Sequence, residues 1–265
     1  MISFTDAQWS ALIAAYFYPF ARVMAWLTTD PVLGNRSVPM RLRIGLAIAL
    51  AVILAPQIGP LPAVDVASAM GVAILAQQVL IGICLGFAVR VVFAAVEAAG
   101  QLAGLQMGLG FATFFDPQTS AQVPVVGQYL GLVATLVFLS LNGHAMLITA
   151  LAESFRLLPV GMSGFSAAGL GAYAAYGAQV FALGLALSLP VIAALLIANL
   201  GIGVISRAAP QMNIFAVGFP FTLLVGMAAL YLTLPYFVPL LERVFTGGIE
   251  SAVALLRGLA PVPAR

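Results

Sequence analysis

Residues Ala172–Ser206 read AYAAYGAQVFALGLALSLPVIAALLIANLGIGVIS. No acidic or basic side chain interrupts this run. It is well beyond the ~20 apolar residues with which a helix crosses the hydrocarbon core of a bilayer. In lipid, every backbone polar group must be satisfied within the segment or by a closed barrel. An unbroken apolar run of this length therefore predicts helix. Working outward, five further hydrophobic stretches occupy roughly 7–28, 42–59, 66–96, 125–152 and 214–241. The expected fold is an all-α integral membrane protein with about six hydrophobic helices, some broken or not fully spanning.

Composition excludes most other classes. Of 265 residues, 63% are hydrophobic and 7% charged, against about a quarter charged in a soluble domain. So few charges cannot cover a water-facing surface, which removes soluble enzymes and disordered proteins. All 10 basic residues are Arg, and the net charge is +2, too thin for a nucleic-acid surface. The single cysteine, Cys84, cannot form an intramolecular disulfide. Its apolar neighbours predict a buried, inert thiol. No basic residue precedes Arg22, so no signal-peptide pattern is expected at the N-terminus and the first hydrophobic stretch is read as retained.

Helix breakers delimit the stretches. Linkers are expected at 29–41 (Asp30, Pro31, Gly34, Asn35, Pro39), near Pro56–Pro62, at 100–124, at 156–171, and as a turn over 207–220. Pro19, Pro190 and Pro235 predict kinks inside helices. The stretch Glu242–Arg257 has an amphipathic pattern and reads as an interfacial or partner-docking helix. Arg36, Arg41 and Arg43 place the first linker in the cytoplasm by the positive-inside rule. Arg207 agrees by counting crossings. Six simple crossings would put Arg243, Arg257 and Arg265 outside, so either one stretch does not cross or the tail charges carry no topology signal.

Catalytic and metal-binding patterns are missing from the sequence. One His, one distant Cys and eight scattered acids do not make a metal site. His144 reads as a structural residue near a helix end. Gly161-Met162-Ser163-Gly164 matches the G-x-S-G of intramembrane serine proteases. The only possible base, His144, precedes that Ser, and no second polar group would orient it. Without Lys, a phosphate-binding P-loop is impossible. The reading is no enzyme, no cofactor and no metal.

Small and pliable residues dominate instead. Gly100, Gly104 and Gly108 recur every fourth residue, and Gly82 and Gly86 repeat the spacing. On a helix such a row admits close approach of another backbone. The following segment, Leu105–Pro117, mixes Gly108 and Gly110 with Met107, Phe111, Phe114 and Phe115. Glycine supplies backbone freedom, while Met and Phe supply deformable apolar bulk. Composition admits two readings: ordinary core packing, or a seal that dewets a pore and yields to a passing chain. Arg90 and Glu97 share one helix face, seven residues apart. Charges at mid-bilayer are costly, so both should face protein, water or headgroups. Gln77 and Gln78 are candidates for bonds across a helix interface. Arg207, Gln211 and Asn213 surround Pro210 as a polar hairpin or a partner contact.

A set of motifs in one order carries a resemblance. They are PMRLR (39–43), QLAGLQMGLGFATFFDP (101–117), FLSLNGH (138–144), SFRLLP (154–159), RAAPQMNIF (207–215) and GFP (218–220). Together, over nearly the whole chain, they resemble the FliR family, the R-type subunits of the flagellar type III export gate. The virulence secretion systems carry a homologous subunit. The resemblance implies one export-gate membrane domain over 1–265, P-like to about 205 and Q-like over about 206–265. It implies a helical ring with FliP and FliQ, wrapped by FlhB and next to FlhA, at the flagellar basal body in the bacterial inner membrane. It implies that hydropathy overstates the crossings, because the assembled gate rides high against its subunits. It also implies that roughly Leu105–Asp116 plugs the closed pore: Gly104, Gly108 and Gly110 give the bend, and Met107, Phe111, Phe114 and Phe115 the bulk. The substrates would be unfolded flagellar proteins. The alternative class is a small-solute secondary transporter. The sequence shows no inverted repeat of the kind such transporters carry, and only Arg90/Glu97 as a possible buried charge site.

Overall fold

The computed structural model describes residues 6–59, 64–111, 125–161, 164–211 and 214–260. Among them the protein is all-α, an integral membrane protein without strands. Its helices are α1 (Asp6–Thr29), α2 (Met40–Leu54), α3 (Ala69–Gln106), α4 (Val125–Ser140), α5 (Gly143–Leu157), α6 (Ala167–Tyr176), α7 (Gln179–Ala208) and α8 (Ile214–Leu259). Short 3-10 turns cover Ala55–Gln57 and Leu109–Phe111. Four segments are long and apolar enough to cross a membrane: Met40–Gln57, Ala69–Gln106, Ala167–Ala208 and Ala216–Leu259. A fifth exists if the bent pair α4 and α5 is one span.

The six expected stretches map onto these helices as follows. The first stretch is helical as α1; its opening residues fall outside those searched for spans. The 125–152 stretch breaks into α4 and α5 with a 70° bend. Asn142 stands at the break with φ 55 and ψ 30, left-handed backbone that Asn tolerates better than most residues. Pro19, Pro190, Pro220, Pro235 and Pro239 all lie inside continuous helices. The tail over 242–257 is not a separate interfacial helix. It continues α8, and its apolar face is buried by the chain itself at Phe245, Ile249, Ala252, Leu256 and Leu259.

Two compact units divide the chain. The first comprises 1–91, 142–177 and 245–265; the second comprises 92–141 and 178–244. In the first unit α1 packs against α2 and against the early turns of α3. A β-carbon on Gly82 would lie 2.3 Å from the Arg22 carbonyl oxygen, so only glycine permits that helix contact. The Ser166 amide donates to the Leu259 carbonyl at 3.1 Å, joining the start of α6 to the end of α8. Asp30 shapes the turn after α1: its Oδ1 accepts from the amides of Val32 (2.9 Å) and Leu33 (2.7 Å).

The second unit is more uniformly apolar. Late α3 meets α4 where a β-carbon on Gly100 would stand 2.6 Å from the Gly127 α-carbon. Phe93 and Phe138 pack edge to face at 5.5 Å, a favourable aromatic geometry. Ala103, Met107, Val126, Val191 and Leu195 form the buried centre, flanked by Leu109, Val225, Ala229 and Leu230.

Candidate functional site

The residues expected to form a seal begin at the end of α3, in the second unit. The helix stops because Gly108 adopts φ 85, a backbone state that glycine enters without steric cost. The Met107 amide still reaches the Ala103 carbonyl at 2.9 Å, and the Gly108 amide the Leu105 carbonyl at 3.0 Å. The chain then turns through Leu109–Phe111. Gly104 is buried; a methyl there would meet Leu109 and Val126 at an ordinary 3.6 Å. A methyl on Gly110 would come 3.3 Å from Leu105.

Met107 does not project freely. It is fully buried and occupies a hollow left by Gly226 of α8. A β-carbon on Gly226 would stand 2.5 Å from its Cε and Cγ. The Thr222 hydroxyl donates to the Met107 carbonyl at 3.2 Å. Side chain and backbone are thus both held by α8 just where the chain leaves α3. Phe114 and Phe115 lie outside the described residues, as does the side chain of Phe111.

The polar candidates separate. Gln78 is buried in the first unit and held within the chain, where it meets Arg22. Gln77 is buried beside it, and the Gln78 Nε2 donates to the Gln77 Oε1 at 3.4 Å. Arg90 is exposed on α3 in the first unit. Glu97 is exposed in the second, its carboxylate lying over Gly131. Arg207, in the last turn of α7, and Gln211 are exposed. Asn213 lies outside the described residues, as does Ser163. His144 is exposed in the first turn of α5. No group of three or more His, Cys, Asp or Glu that could hold a metal ion occurs among the described residues.

Sequence reading missed Arg22, the largest polar group in the interior. It is fully buried. Its Nε donates to Gln78 Oε1 at 2.9 Å, and Nη2 donates to the same oxygen. Nη1 donates to the Ser154 carbonyl at 2.8 Å and to its hydroxyl at 3.1 Å. Nη2 also reaches the Leu158 carbonyl at 2.7 Å. The Phe155 ring lies 4.0 Å from the guanidinium carbon. A guanidinium has five N–H donors, and here five bonds use them. No carboxylate is involved. The carbonyls at the C-terminal end of α5 supply partial negative charge instead, and the ring face adds a cation–π contact. The only sequence signal was a cation inside an apolar stretch. Its partners lie 56, 132 and 136 residues away, beyond any local pattern.

Long apolar helices, closed by glycine contacts and one internally satisfied arginine, define an all-α integral membrane protein. The profile of "Bacterial export proteins, family 1" matches residues 13–248. The chain is 41% identical over 246 residues to the "Flagellar biosynthetic protein FliR" of Escherichia coli K12, covering 93% of this chain and 94% of that one. It is also 41% identical over 260 residues to the protein of that name from Pectobacterium carotovorum, covering 98% and 99%. The Bacillus subtilis relative is 33% identical, covering 92% and 95%. The chain belongs to the FliR family of flagellar biosynthetic proteins.

Proposed function

We propose that this protein is a core subunit of the flagellar type III protein-export gate, helping to form and plug the channel for unfolded flagellar proteins. The observation that carries the reading is the near-full-length similarity to flagellar biosynthetic proteins. Its partners would be FliP, FliQ, FlhB and FlhA, at the basal body in the inner membrane. Exposed Arg90, Glu97, Arg207 and Gln211, together with Asn213, would meet neighbouring subunits or headgroups. Gln77 and Gln78 would act inside the chain.

The chemistry of such a gate favours the residues after α3. A channel for chains of any sequence gains nothing from fixed polar contacts, yet it must hold back ions when idle. A pliable apolar constriction does both, by dewetting when closed and deforming when occupied. In this reading Met107 fixes the root of the segment, Gly108 turns the chain out of α3, and Gly110, Phe111, Phe114 and Phe115 give the stopper its compliance and bulk. Gly104 sits beside Leu109 and Val126 at the root.

Deleting residues 106–115 in the assembled gate and recording conductance in planar bilayers tests this. Raised resting conductance is the expected result; conductance equal to wild type overturns the plug role. Co-expression with FliP and FliQ tests the assembly: a chain that never enters a larger ring would return weight to a solute carrier.

A further inference from the structure

An open apolar groove of about 480 Å³ lies between α1 and α2 in the first unit, lined by Leu12, Ile13, Tyr16, Phe17, Ile48 and Val52 among others. Ala51 closes its floor and is buried, while Ile48 and Val52 are about half exposed. A helix repeats its face after seven and eleven residues, so Arg41 lies on the same stripe of α2 as Ile48 and Val52. At about 1.5 Å per residue, Arg41 stands roughly 10 Å along the helix axis from Ile48. It is exposed, as is Arg36 in the preceding linker, and no acidic residue pairs with either among the described residues. Asp30 does not neutralise them: it is buried and bound to the amides of its own turn. Arg43 is tied back to the Asn35 carbonyl, which fixes the linker on the first turn of α2.

We propose that this groove is a binding site for one anionic diacyl phospholipid, with an acyl chain along Ile48 and Val52 and the headgroup phosphate on Arg41 and Arg36. Two features agree. The spacing from Arg41 to Ile48 suits a phosphate that sits one glycerol unit beyond the first methylenes. The positive-inside rule directs this linker to the cytoplasmic leaflet, where anionic lipids meet basic pockets between helices.

The test uses the full chain purified in mild detergent, offered phosphatidylglycerol or phosphatidylcholine of identical acyl composition, with retained lipid counted by native mass spectrometry. Wild type should retain one phosphatidylglycerol in preference to phosphatidylcholine. Arg41→Gln should reduce that preference about fivefold, the factor equivalent to the ~1 kcal/mol that each arginine contributes near an anionic surface. Val52→Trp, which fills the groove from an exposed position, should lower retention of both lipids, with helicity checked by circular dichroism. Equal retention of the two lipids by wild type overturns the proposal without reference to any variant. So does an Arg41→Gln chain that keeps the full preference. A Val52→Cys chain that crosslinks to another gate subunit in the assembled complex, with lipid excluded, would assign the groove to a protein partner and overturn it too.

Discussion

Both units use close glycine contacts, but only the first adds a polar hub. The first is organised around a buried cation, Arg22, whose donors gather α3 and the end of α5 onto α1. The second is organised around what is missing: Gly100, Gly127 and Gly226 lack side chains where backbones or Met107 come close. The difference is one of tolerance. A polar hub is directional and fails as a set, since removing the arginine strands several buried acceptors together. A glycine seam fails by degrees, according to whether the neighbour it meets is rigid backbone or a pliable side chain.

Substitutions can break or sharpen that contrast. Arg22→Met should have the largest effect, a loss of about 3–5 kcal/mol, because Gln78 and the Leu158 carbonyl lose their donor in a buried site. Thermal unfolding in detergent would report it. Arg22→Lys should recover little, since an ammonium cannot reproduce the planar fork; a Lys variant of wild-type stability would refute the hub.

Gly100→Ala comes next, at about 1–3 kcal/mol. Its methyl would meet the Gly127 backbone, which has no side chain to move, and the same unfolding assay measures the shift. Gly226→Ala should cost less, about 1 kcal/mol, because the atoms it meets belong to flexible Met107. Combining it with Met107→Ala should remove the added cost, a coupling that a double-mutant cycle detects. Strict additivity would show that Met107 does not fill the Gly226 hollow.

The smallest effect concerns Asp30. Burial raises its carboxyl above the usual range, partly offset by the amide bonds from Leu33 and Val32. A raised folded-state value means that stability is fullest below the ordinary carboxylate range and declines as pH rises through the shifted value. Asp30→Asn retains an acceptor for both amides and removes the charge. The variant should gain on wild type between pH 4 and pH 7 when unfolding midpoints are compared, and a gap that does not change with pH would contradict this.

Class and helicity were legible because they depend on single runs of chain. Ala172–Ser206 declares a lipid-compatible helix without reference to any other residue. Gly100 likewise announced a close helix contact, although not that Gly127 would be on the other side. Arg22 was illegible for the converse reason: a guanidinium in an apolar stretch reads as an anchor, and its acceptors emerge only when three distant segments meet. Met107 was singled out as pliable bulk, but its burial depends on a hollow at Gly226, more than a hundred residues later. The tail after Leu241 misled because its amphipathic pattern is real; the chain covers that face with its own first unit. Of the segment expected to form a seal, the fold describes Gly104–Gly110, while Phe114 and Phe115 lie outside the described residues.

The 46 residues of α8 give it a contour of about 69 Å at about 1.5 Å per residue. That contour is about twice the ~30 Å thickness of the hydrocarbon core. Oil cannot wet all of it. Yet Leu224, Tyr231, Leu232 and Tyr236 remain largely uncovered along its length. Wherever such side chains emerge from the hydrocarbon, the hydrophobic effect disfavours leaving them in contact with water.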